Sequence, residues 1–269
     1  MLSPRRRRRA DAGGRLSEMK IIIFSDVHGN NDALEACLSI IDRTEHERVF
    51  NLGDTVGYGA GPNESIELIR ERNIPSVTGN HDDVVLGRYE PARFNPDGRR
   101  SIMWCRAVLK EQNLDFLRNL SDFIWIDSSL GKALLVHGSP VDKDEYVMSK
   151  WNAERAFTAM VDRDIAISFV AHTHRAGLWL QEVDGTPVFK AECECPLDSV
   201  MNPSQKVIVN VGSVGQPRDG NSKGCFVVWD DVEHTISFHR FDYPVQAAQQ
   251  RIRDAGLPRF LADRLEGGY

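Results

Sequence analysis

Apolar residues fall along this chain in short runs, at 21–24, 49–52, 133–136, 165–171 and 207–211, each followed by polar or glycine-rich residues. That is the pattern of short buried strands ending in loops. Amphipathic stretches separate them: in 32–41, Leu34, Cys37, Leu38 and Ile41 recur at helical spacing, and 65–70 reads the same way. Strand and helix alternate, which places the chain in the α/β class. A longer insert at about 83–129 contains Phe94, Asn95 and Pro96, then a helical segment with Ile102, Cys105, Val108 and Leu109 on one face. Its simplest role is to cover a sheet face. The stretch 177–189, with Gly185 between two strand-like arms, reads as a hairpin, and about 244–269 reads as two short helices broken at 256–258. With no internal repeat and no linker rich in Gly, Pro or Ser, a single domain over 19–269 is expected.

Composition narrows the class without deciding the chemistry. At 269 residues, 41% hydrophobic and 27% charged, the chain has the profile of an enzyme-sized globular protein. A net charge of -6 opposes broad nucleic-acid binding, which needs a basic surface to neutralise phosphates, so no stable nucleic-acid partner is expected. No apolar run approaches the roughly 18 residues of a membrane span, so no membrane partner is expected either. The five cysteines form no framework of a small secreted domain, and a cytoplasmic location fits them. Cys193 and Cys195 lack a second pair at usable spacing and read as ordinary thiols. Arg5 to Arg9 form a basic run without the apolar segment of a signal peptide, and residues 1–18 read as a disordered extension ahead of a natural start at Met19. The rival reading of that run is an arm for nucleic acid.

The chemistry lies where strands give way to loops. Asp26 and His28 follow the first apolar run and Asp54 the second, Asn80 and His81 follow the short run 75–77, His137 follows 133–136, and His172 and His174 follow 165–171. Loops after parallel strands gather on one edge of an α/β sheet, where ligands bind. Asp and His together suit borderline divalent metals. A spacing of two in Asp26/His28 and His172/His174 sends both side chains of a pair the same way if the backbone is extended. Each signal is weak alone, since a histidine after a strand is commonly structural and Gly53-Asp54 is commonly a turn. Of the eight histidines, however, only His46, His234 and His239 lie away from these strand ends.

Asp26-x-His28, Gly53-Asp54, Gly79-Asn80-His81, His137 and His172-x-His174, in this order, resemble the calcineurin-like metallophosphoesterase superfamily. Gly57-Tyr58-Gly59, His137-Gly138-Ser139-Pro140 and the stretch from Asn210 to Arg218 look most like its bacterial and archaeal diadenosine tetraphosphatase-like or phosphodiesterase-like branch. The resemblance implies a four-layer α/β/β/α sandwich, two β-sheets flanked by helices. It also implies two divalent ions (Mn, Fe, Ni or Zn), one held by Asp26, His28, Asp54 and His174, the other by Asp54, Asn80, His137 and His172. Asp54 would then bridge, and a metal-bridging hydroxide would attack a phosphate ester. His81 matches the family's catalytic acid; the plainer reading is a hydrogen bond to Asn80 or to metal-bound water.

The implied substrate is small and phosphorylated, a phosphodiester or dinucleoside polyphosphate, with a phosphomonoester as the alternative. Where the superfamily's protein phosphatases carry an Asp-Arg pair, this chain has Gly57 and Tyr58, which weakens a protein-phosphatase reading. Asp82 or Asp83 could orient His81 instead, or simply favour a helix start. Arg218 is a candidate phosphate contact, and Arg99, Arg100 and Trp104 in the insert could hold a nucleotide. The competing class is a metal-binding interaction scaffold, like the retromer subunit of this fold, which lacks the catalytic histidine; His81 is present here.

Overall fold

The computed structural model describes residues 20–195, 199–202 and 205–269. The basic extension at 1–18 lies outside the described residues. In chain order the elements are β1 (Lys20–Phe24), α1 (Asn31–Ile41), β2 (Arg48–Asn51), α2 (Pro62–Glu71), α3 (Asn80–Val85), α4 (Pro96–Val108), α5 (Glu111–Arg118), β3 (Phe123–Ser128), β4 (Gly131–Val136), α6 (Lys150–Asp162), β5 (Ile165–Val170), β6 (Gly177–Gln181), β7 (Pro187–Ala191), β8 (Ser199–Val200), β9 (Val207–Asn210), β10 (Gly224–Asp230), β11 (Thr235–Phe241), α7 (Val245–Asp254) and α8 (Arg259–Gly267).

The strands form two mixed sheets, ordered β2-β1-β10-β11-β8 and β3-β4-β5-β9-β6-β7. β1 and β2 run parallel in the first, and β4, β5 and β9 run parallel in the second. Alternation along each strand explains the layering. Ile21 and Ile23 of β1 join Phe50, Leu135, Phe169, Val209 and Trp229 in a core between the sheets. Ile22 and Phe24 point the other way, against Leu34 and Leu38 of α1 and Leu261 and Leu265 of α8. On the second sheet Leu134, Val136 and Ile208 face Ala156, Phe157 and Met160 of α6. Central strands buried on both faces need apolar residues at every position, which is why they read as continuous runs. The result is the four-layer α/β/β/α sandwich.

The hairpin β6–β7 and the terminal helices α7 and α8 form as expected. Four strands lie beyond the expected set: β10 and β11 complete the first sheet, pairing antiparallel along their full lengths, β8 pairs with β11 at its edge, and β3, within the expected insert, pairs antiparallel with β4 at the edge of the second. The insert differs from its expected role. Ile102 and Cys105 of α4 and Leu117 of α5 pack with Val56, Ile66, Val84 and Val85, forming a separate cluster with α2 and α3 rather than on a sheet. Val108, expected on the buried face, is 38% exposed because α4 ends there and the chain turns extended at Leu109.

Candidate metal centre

The loops after β1 and β2 run side by side beyond their strands. Asp26 N–H donates to Gly53 O (3.1 Å) and His28 N–H to Asp54 O (2.9 Å). The loop after β9 clasps them from the second sheet: Gly215 N–H donates to Asp26 O (3.0 Å), Ser213 Oγ to the same oxygen (2.9 Å), and Asn30 Nδ2 to Gly215 O (2.8 Å). Asp26, His28, Asp54, His172 and His174 all adopt left-handed backbone, with φ of 53°, 52°, 50°, 64° and 58°. Such conformations are uncommon for residues with a Cβ and concentrate at functional sites.

This geometry corrects one expectation. The backbone at the two paired motifs is not extended, so a spacing of two does not dictate a common direction. Asp26 and His28 do share a group, but His172 and His174 part. Ligand atoms of Asp26, His28 and His174 lie within 4.8 Å of one another, and so do those of Asp54, His137 and His172, and of His28, Asp54 and His81. The three groups share His28 and Asp54 and form one buried cluster, since each of these side chains is at most 4% exposed.

The protons of three of these histidines are placed by the main chain. Nδ1 of His28 lies 3.1 Å from Val56 O, that of His137 2.8 Å from Leu52 O, and that of His174 2.5 Å from Gln216 O. A carbonyl can only accept, so each Nδ1 carries the hydrogen and a neutral ring turns a bare Nε2 inward. His28 Nε2 and His174 Nε2 then face each other at 3.1 Å, with Asp26 Oδ1 at 3.2 Å from the latter. Asp26 Oδ1 and Asn80 Oδ1 are buried without a hydrogen-bond partner. Lone pairs converging on lone pairs are unfavourable unless a proton or a cation lies among them, and nitrogen with carboxylate oxygen is a donor set for borderline divalent metals. The residues fit such ions.

Without an ion, a proton occupies part of that role. Burial alone would lower the pKa of His137, but Asp54, 3.3 Å away, and Asp26 beyond it raise it to about 10. Burial would raise that of Asp54, but His137, His81 and His28 hold it well below the carboxylate range. Burial keeps His81, His172 and His174 well below the ordinary histidine value, hence neutral.

His81 sits at the start of α3, where its N–H donates to Asp54 Oδ1 (2.8 Å). Its ring is boxed by Tyr58, His28 and Phe94, at centroid distances of 4.4, 4.6 and 4.6 Å, and its Nδ1 has no partner. Neither neighbouring aspartate orients it. Asp82 accepts from the N–H groups of Gly79 (3.0 Å) and Val56 (3.2 Å), and Asp83 binds Thr78, Arg88 and Lys143. A Cβ at Gly79 would meet Asp54 Oδ1 at 2.1 Å, so only glycine lets the start of α3 close on that carboxylate. Gly57 has the same role toward the ring: its φ is +98° and a Cβ would meet His81 Nδ1 at 2.3 Å. The absence of an Asp-Arg pair at 57 and 58 is thus built into the packing.

A cavity of about 530 Å³ lies beside the cluster, lined in part by Tyr58, Asn80, Phe94, Tyr146, His172 and Arg218. Arg218 therefore reaches the site, held by two hydrogen bonds to Gln216 Oε1 (3.3 and 2.7 Å). Arg99, Arg100 and Trp104 do not line it; Trp104 packs on the α4 cluster and Arg100 donates to Gly256 O. Cys193 and Cys195 join no metal-like group among the described residues. Sequence reasoning missed Tyr146, whose ring stacks on His172 at 3.7 Å, and Arg264, which also lines the cavity. An aromatic residue in a loop and an arginine in a terminal helix carry no local signal of either role.

The model of the calcineurin-like phosphoesterase superfamily domain matches residues 19–233. An uncharacterized protein of Methanocaldococcus jannaschii is 35% identical over 249 residues, covering 91% of this chain and 96% of its own. The crystal structure of a metallophosphoesterase from Sphaerobacter thermophilus is 35% identical, with a TM-score of 0.78 over 94% of this chain and 100% of that one. A hypothetical protein from Pyrococcus horikoshii, 19% identical, shares the fold with a TM-score of 0.74 over 93% and 99% of the two chains.

Proposed function

The chain belongs to the calcineurin-like phosphoesterase superfamily, and on that premise we propose that it hydrolyses a small phosphodiester or dinucleoside polyphosphate at a centre of two divalent cations. One cation would be held by Asp26, His28, Asp54 and His174, the other by Asp54, Asn80, His137 and His172, with Asp54 common to both. The supporting observation is the inward convergence of bare Nε2 atoms whose opposite ring nitrogens are tied to Val56, Leu52 and Gln216 carbonyls. Bound there, the cations supply Lewis acidity that makes water nucleophilic near neutral pH and offsets charge growing on the phosphoryl oxygens.

The chain's own groups do the rest. His81, packed against Tyr58 and Phe94 and with its Nδ1 free of a protein partner among the described residues, would donate a ring N–H to the leaving oxygen. Asp54 Oδ1, by accepting the main-chain N–H of His81, holds the start of α3 that carries the ring. Tyr89, Phe94 and Tyr146 give the cavity aromatic surface on which a nucleobase can stack. The volume of about 530 Å³ is that of a site for a drug-sized ligand, larger than a simple monoester needs. The test is a panel of phosphate monoesters, diesters and dinucleoside polyphosphates assayed with manganese, iron, nickel or zinc, alongside metal analysis. Turnover of diesters with about two metals per chain is expected. Faster turnover of monoesters would make the protein a phosphomonoesterase, and no turnover with any metal would leave a scaffold.

A further inference from the structure

Two arginines line the cavity beside the proposed centre, and among the described residues neither pairs with an aspartate or a glutamate. Arg218 comes from the loop after β9. Arg264 comes from α8, outside residues 19–233 that match the family. Both guanidinium groups lie over the same ring: their central carbons are 5.5 Å and 5.9 Å from the centroid of Tyr58, which itself packs on His28 and His81. Arg264 is only 9% exposed. Its Nε donates to a main-chain oxygen of Tyr269, and among the described residues no hydrogen bond engages its Nη groups.

The arrangement is braced. Gly268, left-handed at φ +64°, ends α8 and donates to Arg264 O at 3.0 Å, and Gly220 N–H donates to Gly268 O at 2.9 Å. The loop carrying Arg218 and the helix carrying Arg264 are thereby tied together. The neighbouring carboxylates are committed elsewhere: Asp219 pairs with Arg240, Asp54 and Asp26 face histidines, and the cation acting on Asp144 is Lys143. Burial, and then the charge of Arg218, lower the Arg264 pKa to about 10. Guanidinium groups that line a cavity and keep Nη donors free of acidic side chains are the chemistry that recognises phosphate.

We propose that Arg218 and Arg264, set on the Tyr58 ring, bind a second phosphoryl group of the substrate, beyond the one cleaved, and so select phosphoanhydride-containing or multiply phosphorylated esters over esters with one phosphate. This rests on the phosphoesterase reading of the neighbouring centre. No bond changes at the arginine site; it binds and positions.

The test pairs two measurements on the full-length chain. With metal restored, kcat/KM is compared for a dinucleoside polyphosphate and for bis(4-nitrophenyl) phosphate, which has one phosphate, in wild type, R264Q and R264K. With metal removed, inorganic pyrophosphate is titrated into the same proteins by calorimetry, and thermal scans establish that each is folded. R264Q is expected to lower the polyphosphate-to-diester ratio at least about tenfold, through KM, and to weaken pyrophosphate binding similarly, with R264K retaining part of both. An unchanged ratio in folded R264Q overturns the proposal; if pyrophosphate binding alone falls, the site holds a free anion and the substrate assignment is wrong. Should R264Q not fold, R218Q in the same two measurements decides. Arginine-dependent pyrophosphate binding by a wild type that cleaves neither ester would sink the phosphoesterase reading while leaving the anion site standing, and cleavage of both with an unchanged ratio would do the reverse.

Discussion

No side chain fits at position 57 without displacing the imidazole of His81, and that constraint yields a sharp prediction. Gly57→Ala adds left-handed strain and pushes on Nδ1; because a shift of about 1 Å at a reacting group costs about 10²-fold, turnover should drop by about that factor with both metals retained. Rates and metal content measured on the same sample decide, and normal turnover would mean the ring has room to move. Asp54→Asn removes charge from the proposed bridge. Activity is expected to fall by more than about 10²-fold with at least one ion lost and the circular dichroism spectrum kept; undiminished occupancy and rate would rule out the bridge. His81→Ala should keep both ions and lower turnover by roughly 10² to 10⁴. The loss should shrink for a nitrophenolate leaving group, which needs little protonation. An equal loss for good and poor leaving groups would place His81 in charge stabilisation, and depleted metal would make it a ligand.

Elements contribute by where they begin and end. Asn30 begins α1 by accepting from Ala33 N–H while holding the β9 loop through Gly215 O, so one residue starts a helix and joins the two sheets. α3 begins at Asn80, and Asp82 closes its first turn by accepting from Gly79 N–H. α4 reaches the site indirectly: Tyr58 N–H donates to the buried Ser101 Oγ at 2.6 Å, holding the ring that packs on His81. α6, by contrast, only packs. Phe157, 2% exposed among Leu134, Val136 and Met160, fills the outer face of the second sheet. Phe157→Ala should cost about 3–5 kcal/mol and lower the midpoint of thermal unfolding without altering the rate per folded molecule. A matching loss of turnover at low temperature would show that α6 supports the centre after all.

At the scale of the molecule, the proposed centre depends on both sheets delivering loops to one place: β1 and β2 from one, β4, β5 and β9 from the other. Residues lining the cavity beside it come from farther afield still, since Tyr146 and Arg264 belong to a loop and to the last helix. No helix among the described residues is long and apolar enough to cross a membrane. Every residue proposed to hold metal lies between Asp26 and His174, so a chain lacking residues 1–18 should hydrolyse its substrate at the full rate. Aggregation or lost turnover in that variant, read by size exclusion and assay, would assign the arginine run a structural or functional role.

Much of this was legible in the residue order because buried strands must be apolar at every position and strand ends must be polar. The runs at 21–24, 133–136 and 207–211, and the clustering of His28, His81, His137, His172 and His174 behind such runs, therefore mark both the parallel strands and the site. β10 and β11 were less visible, since their place depends on pairing with β1, a contact between distant parts of the chain. What periodicity could not supply was direction. His172 and His174 fall in different ligand groups while Asp26 and His28 share one, although all four adopt left-handed backbone, and no spacing rule encodes that difference. Nor could it supply which histidine nitrogen carries the proton, set by carbonyls of Val56, Leu52 and Gln216, or the meeting of Arg218 with Arg264 over Tyr58. Residue types and their local pattern belong to the sequence. Side-chain direction, tautomer and counter-charge depend on groups far away along the chain, and only packing brings those together.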